Sequence, residues 1–149
     1  LLGSLDFTCV RRVGVWLYIP ADHPLAGRPY LELSDLNRLP LVTAGQHNHV
    51  HRFVMQRCAD EDVHPNICAT VTDSALLGHL LYEYNASCFG FPPSVAETPR
   101  GFVALRLAVE GGEWFGTYVV RKPAGPRGSG ADMRRATKAF WSLAQAVAE

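Results

Sequence analysis

Apolar residues run almost without interruption through VGVWLYI, residues 13 to 19, and stop at Pro20. A continuous run of this kind, bounded by a proline, predicts a strand buried on both faces, as parallel-type sheets require. LSDLNRL follows, with Ser34 placed to cap one or two helical turns before Pro40 ends them. LPLVT reads as a second short strand. In HVHRFVMQRCADEDV the spacing of Val50, Phe53, Val54, Arg57 and Cys58 is helical. HPNICATV leads into a third strand. Thr72 or Asp73 then caps SALLGHLLYEY, whose expected buried stripe is Leu76, Leu77, Leu80 and Leu81.

SCFGF predicts a fourth strand closed by Pro92 and Pro93, and a polar, proline-containing loop continues to Gly101. FVALRL and EWFGTYVV predict two more strands, paired as a hairpin across EGGE. Residues 123 to 130 are too rich in Gly and Pro for anything but a loop. The last stretch is an amphipathic helix with Met133, Ala136, Phe140, Leu143, Ala144 and Val147 on one face. Strands alternating with helices across short connections predict an α/β fold with a largely parallel sheet.

Length and composition narrow the picture. The 149 residues suit about one domain and allow a substantial core. Fourteen basic and fourteen acidic residues cancel, which argues against a general nucleic-acid-binding surface. No apolar stretch has the length of a membrane span, no signal-peptide pattern opens the chain, and a cytoplasmic location is expected. The chain opens on LLGSLDF without Met, so a preceding segment is expected as well. Cys9, Cys58, Cys68 and Cys88 form no C-x-x-C pair and read as reduced thiols.

In such folds ligands sit outside the carboxyl ends of the strands. Here those ends are Thr43, Ala44, Gly45 and Gln46, running on to His47; Thr72, Asp73 and Ser74; and Phe91 with Pro92. Two of these turns lead into helices, whose starts offer backbone N–H groups to a carboxylate or phosphate. Thr72 to Ser74 serve equally well as simple caps, and the two roles are compatible.

VWLYIPADHPLAG, then LELSDLNRLPLVT, a helix, a strand, SALLGHLL and a strand closing on FPP resembles the effector-binding domain of LysR-type transcriptional regulators. The most specific element is P-x-D-H-P-L-A-G after a hydrophobic strand. YVVRK, a Gly/Pro-rich loop and AFWSLAQ fit the end of such domains. The resemblance covers nearly the whole chain from about Val13.

The resemblance implies a type II periplasmic-binding-protein-like α/β fold of two lobes, one complete here and the other partial. Residues 1–29 would belong to the partial first lobe, 30–98 to the second, and 99–149 to the return into the first. It also implies a small-molecule effector held between lobes, with a carboxylate as the class that suits the helix starts. No catalysis and no cofactor is implied. DNA would be bound only through an absent N-terminal helix-turn-helix, and a homo-oligomer is expected, with no membrane partner.

His23 would shape the turn after the first strand and satisfy backbone groups there. No nucleophile or second acid stands beside it in the sequence, which leaves it without catalytic partners. The chain departs from the family in LYEYNASCFGFPP. Asn85 and Ser87 stand where glycines are usual, and Tyr82 and Tyr84 are bulky. Asn tolerates a left-handed backbone, so the turn survives.

Two alternatives remain open at this level. One is a solute-binding or enzymatic protein on the same fold. The other is a metal-sensing module built on His47, His49 and His51 in QHNHVHRF, since imidazole is the commonest metal ligand. No accompanying H-E-x-x-H or cysteine spacing supports the metal. The bland reading is a polar loop entering a helix with Asn48 as its cap. An intermediate one has a histidine binding an anionic effector. Arg134, Arg135 and Lys138 read as a solvated face of the last helix, and Trp16, Trp114 and Trp141 as packing residues.

Overall fold

The computed structural model describes residues 6–112, 115–121 and 131–147. They divide into two compact units. One spans residues 14–113, and the other combines 1–13 with 114–149.

The larger unit begins with β2 (Val15–Pro20), after β1 (Asp6–Arg12) of the other unit. It continues through β3 (Leu31–Glu32), a 3₁₀ helix (Leu33–Asn37), β4 (Leu41–Thr43) and α1 (His49–Asp60). Then come β5 (Ile67–Thr70), α2 (Ser74–Glu83), β6 (Cys88–Gly90) and β7 (Phe102–Ala108). β2 is nearly completely buried, as its unbroken apolar run predicts. Its neighbours, however, are the antiparallel β6 and β7 rather than parallel strands. β3 pairs parallel with β7, and β4 pairs parallel with β5.

Ser87 joins the two sheets. It forms a parallel bridge with Leu41, accepts from Val42 N–H at 2.8 Å and donates its own N–H to Pro40 O at 2.7 Å. The strands therefore run in the order β5-β4-β6-β2-β7-β3. The fold is α/β, but the sheet is mixed, which corrects the expectation of a largely parallel one.

The two faces separate by strand alternation. Tyr18, Val42, Ala86 and Cys88 cluster with Leu81 of α2, against which Leu77 and Leu80 pack. Leu76 of the expected stripe is 47% exposed instead. Leu41, Thr43 and Ser87, one position out of phase with that cluster, are fully buried on the opposite side. Right-handed crossovers send α1 to that side. α1 buries His51, Val54 and Cys58 and contacts the 3₁₀ helix. Val50 and Phe53 are only half-buried, so the stripe of α1 is rotated from the expected one, and it includes a histidine.

Local chemistry explains the turns. His23 Nδ1 accepts the Leu25 N–H at 3.2 Å, as expected of a turn-shaping residue. Asn48 caps α1 and Asp73 caps α2. Ser34 caps nothing; the 3₁₀ helix is capped at Glu32, whose N–H donates to Asp35 at 2.9 Å. Both α-helices of the larger unit end with a left-handed residue, Asp62 (φ 54) after α1 and Asn85 (φ 46) after α2. In each case the following N–H reaches back six residues' span, Val63 to Cys58 O and Ala86 to Leu81 O. Asn85 thus supplies the conformation that glycine would.

The smaller unit pairs β1 antiparallel with β8 (Gly116–Arg121), with Phe7 opposite Val120 and Cys9 opposite Tyr118. The hairpin expected between β7 and β8 is therefore not formed. The Gly112 N–H closes a turn onto Val109 O, and β8 finds its partner in the strand that opens the chain. α3 (Ala131–Val147) packs on β1. Among its described side chains Trp141 and Ala144 are buried, Ala144 as expected, whereas Phe140 and Leu143 of the expected face are 59% and 62% exposed. The side chains of Met133, Ala136 and Val147, like Trp114 and the loop 123–130, lie outside the described residues. All four cysteines are free.

Candidate functional site

β4 and β5 are parallel neighbours, and the Leu41–Ser87 bridge makes β6 parallel to β4. The three turns singled out by the sequence therefore leave the sheet at the same end. The strand ends that lead into two of them touch. Thr43 and Thr70 hydroxyls lie 3.4 Å apart, and the Val71 N–H donates to Thr43 O at 2.8 Å. Thr43 is buried, Ala44 half-buried and Gly45 buried, while Gln46 and His47 are exposed. Gly45 has φ 72, and a Cβ there would stand 2.9 Å from the Thr70 methyl. Thr72, Asp73 and Ser74 are exposed; so is Phe91, whereas Pro92 is buried.

The two helix starts differ in what they offer. At α2, Asp73 Oδ1 already accepts the N–H groups of Ala75 and Leu76 at 2.8 and 3.0 Å. Its carboxylate occupies the position an anionic ligand would seek and repels it. At α1 the cap is the neutral Asn48, whose Oδ1 accepts only the His51 N–H, at 3.0 Å. Arg52 adds a cation one turn in and donates to His49 Nδ1 at 2.8 Å. The α1 start therefore suits an anion better than the α2 start.

The three histidines do not converge. His49 and His51 are two residues apart on one helix, so they point about 200° apart. His51 is 7% exposed, while His47 and His49 are on the surface. Among the described residues no group of three or more His, Cys, Asp or Glu is placed to hold a metal ion. Burial holds the His51 imidazole below its ordinary proton affinity. Thr70 was missed as a site neighbour by sequence reasoning, whereas His51 was weighed together with His47 and His49. Thr70 was findable as the residue level with Thr43 once β4 and β5 are paired.

A family model described as the LysR substrate binding domain matches residues 3–148. The chain belongs to this family. Its structural relatives agree. The LysR family regulator HinK from Pseudomonas aeruginosa superimposes with TM-score 0.66 at 15% identity, covering 97% of this chain and 49% of that one. The regulatory domain of Synechocystis PCC6803 CcmR, in complex with 2-PG, gives TM-score 0.69 at 14% identity, covering 98% and 68%. The effector binding domain of QuiR in complex with shikimate gives 0.64 at 14% identity, covering 98% and 66%. The chain thus spans about half the length of a regulator such as HinK. Comparison with curated proteins gives no match. The LysR-domain fold is of the type II periplasmic-binding-protein-like α/β kind. Among the described residues no helix is long and apolar enough to cross a membrane.

Proposed function

We propose that this LysR substrate binding domain senses a small-molecule effector and performs no catalysis. The effector binds at Thr43–His47, with Thr72–Ser74 and Phe91–Pro92 as flanking walls. The observation that carries this reading is the start of α1. An uncharged cap, a glycine turn and Arg52 together leave a helix N-terminus open to an anion. A carboxylate is the ligand class that such donors favour, through charge-assisted hydrogen bonds of about 1.5–3 kcal/mol each. Complexes of CcmR with 2-PG and of QuiR with shikimate support a small-molecule role in relatives of this fold.

Binding would bias a conformational equilibrium by no more than the effector's difference in affinity between the two states. An N-terminal helix-turn-helix would read that bias out on DNA, in a homo-oligomeric cytoplasmic regulator.

The test is a thermal-shift screen of small carboxylates at neutral pH. A binder should stabilise wild type and lose its effect in Gln46→Trp, which fills the α1 turn from an exposed position. Ser74→Phe should weaken it less. Equal stabilisation of wild type and Gln46→Trp would reject the site. Turnover of a bound compound would reject the non-enzymatic reading.

A further inference from the structure

His51 occupies a costly position for a titratable group. It lies in the first turn of α1, on the stripe it shares with Val54 and Cys58, and is 7% exposed. Its backbone N–H is used by the Asn48 cap, but its side-chain Nδ1 is buried without a hydrogen-bond partner. A neutral imidazole tolerates this. An imidazolium does not, because it needs an acceptor for each N–H, loses hydration, and stands at the positive end of a helix.

We propose that His51 is a pH-sensitive latch on α1, whose protonation loosens the helix start from the core and with it the Gly45–Asn48 turn. The latch regulates the effector site proposed above, and that consequence rests on that reading.

Among the described residues, the elements packed against α1 bring no unpartnered buried carboxylate to offset an imidazolium. On α1 itself the nearby charged or titratable side chains are Arg52, a cation, and the exposed His49. The 3₁₀ helix packed against α1 carries one buried carboxylate, Asp35, which both Arg28 contacts and the Glu32 N–H already hold. β4 brings only Leu41, Val42 and Thr43. The turn after β7 carries Glu110, which is exposed, and meets α1 through Gly111. A Cβ at Gly111 (φ 80) would stand 3.3 Å from the Phe53 ring. A loosened α1 therefore also releases this turn, just before the boundary of the larger unit at residue 113.

The sign follows from burial, which lowers the folded-state proton affinity of His51 below the ordinary value of 6.5. The stabilisation is complete above about pH 6.5 and is lost as pH falls towards the folded value. Each unit of lowering favours the loosened, protonated form about tenfold.

The experiment uses the full chain without effector. Imidazole NMR should show His51 titrating below 6.5. Between pH 7.5 and 5.5 the wild-type Tm should fall more steeply than that of His51→Gln, and amide exchange at residues 49–60 should rise beyond its intrinsic pH dependence. His49→Gln should behave as wild type. If His51 titrates at or above 6.5, the latch is overturned without recourse to any variant. Parallel melting of wild type and His51→Gln overturns it as well. Carboxylate binding at pH 7.5, where His51 is neutral, tests the effector site alone, so either reading can fail while the other stands.

Discussion

Arg28 Nη1 lies 2.9 and 2.8 Å from the two carboxylate oxygens of Asp35, and the Asp35 side chain is 6% exposed. The turn after ADHPLAG therefore delivers a cation to the start of the 3₁₀ helix. Removing Arg28 leaves a buried carboxylate with the Glu32 N–H as its remaining described partner. Arg28→Ala should lower stability by about 2 kcal/mol, less than for a fully buried pair because Arg28 is partly exposed. Both contacts come from a single nitrogen, so Arg28→Lys should recover more than half of the loss in urea unfolding, unlike at a site that needs the guanidinium fork.

Gly45 is constrained twice, by its φ of 72 and by the Thr70 methyl 2.9 Å from where a Cβ would lie. Gly45→Ala should cost about 1–2 kcal/mol from the backbone alone, and more from the contact. Thr70→Ser removes the methyl. The double variant should melt above the additive sum of the single ones, leaving the backbone part of the cost unrelieved. Strict additivity would remove Thr70 from the explanation.

Asp62 holds the left-handed position that ends α1, at φ 54. Its ion pair with His64, at 3.9 Å between exposed side chains, adds little. Asp62→Gly should be neutral or slightly stabilising, and Asp62→Val should lose about 1–2 kcal/mol, because a β-branched residue is strained at positive φ. Equal melting of the two variants would mean that the backbone conformation is not what matters there.

The cysteines should react in an order set by burial. Burial pushes the Cys88 thiol up to about 12, and burial followed by Glu61 pushes Cys58 up to about 11. Both stay as thiols through neutral pH, and only the thiolate is the nucleophile. Cys68 is exposed, its Sγ resting 3.4 Å from Leu41 O. Iodoacetamide at pH 8 should label Cys68 well before Cys58 or Cys88 in mass spectrometry, and the order should collapse in denaturant. Native labelling of Cys88 at the rate of Cys68 would contradict the packing of α2 on the sheet.

Much of the candidate site was readable because turns and caps act over a few residues. Asn48, Asp73, Asn85 and the His23 turn stand where their side-chain chemistry predicts. The comparable expectation failed at Ser34, since Asp35 is nearer the Glu32 N–H and is fixed there by Arg28, a contact outside the local window. Anion preference between the two helix starts was not readable either. It depends not only on the charge of the cap, Asn48 against Asp73, but on which donors each cap consumes, and that is a matter of side-chain rotamers.

The order of strands and helices, the α/β class and the burial of β2 follow from periodicity, a property that each segment carries by itself. Pairing is different. β8 could have closed a hairpin with β7, and its own pattern does not distinguish that partner from β1. The choice lies with which edges meet once the Val109–Gly112 turn and α3 are in place. The same holds for β6, whose register with β4 rests on backbone groups of Ser87, and for His51, whose burial depends on what covers its helix. Backbone hydrogen bonds carry no sequence label, so these relationships were decided only when distant parts of the chain packed together.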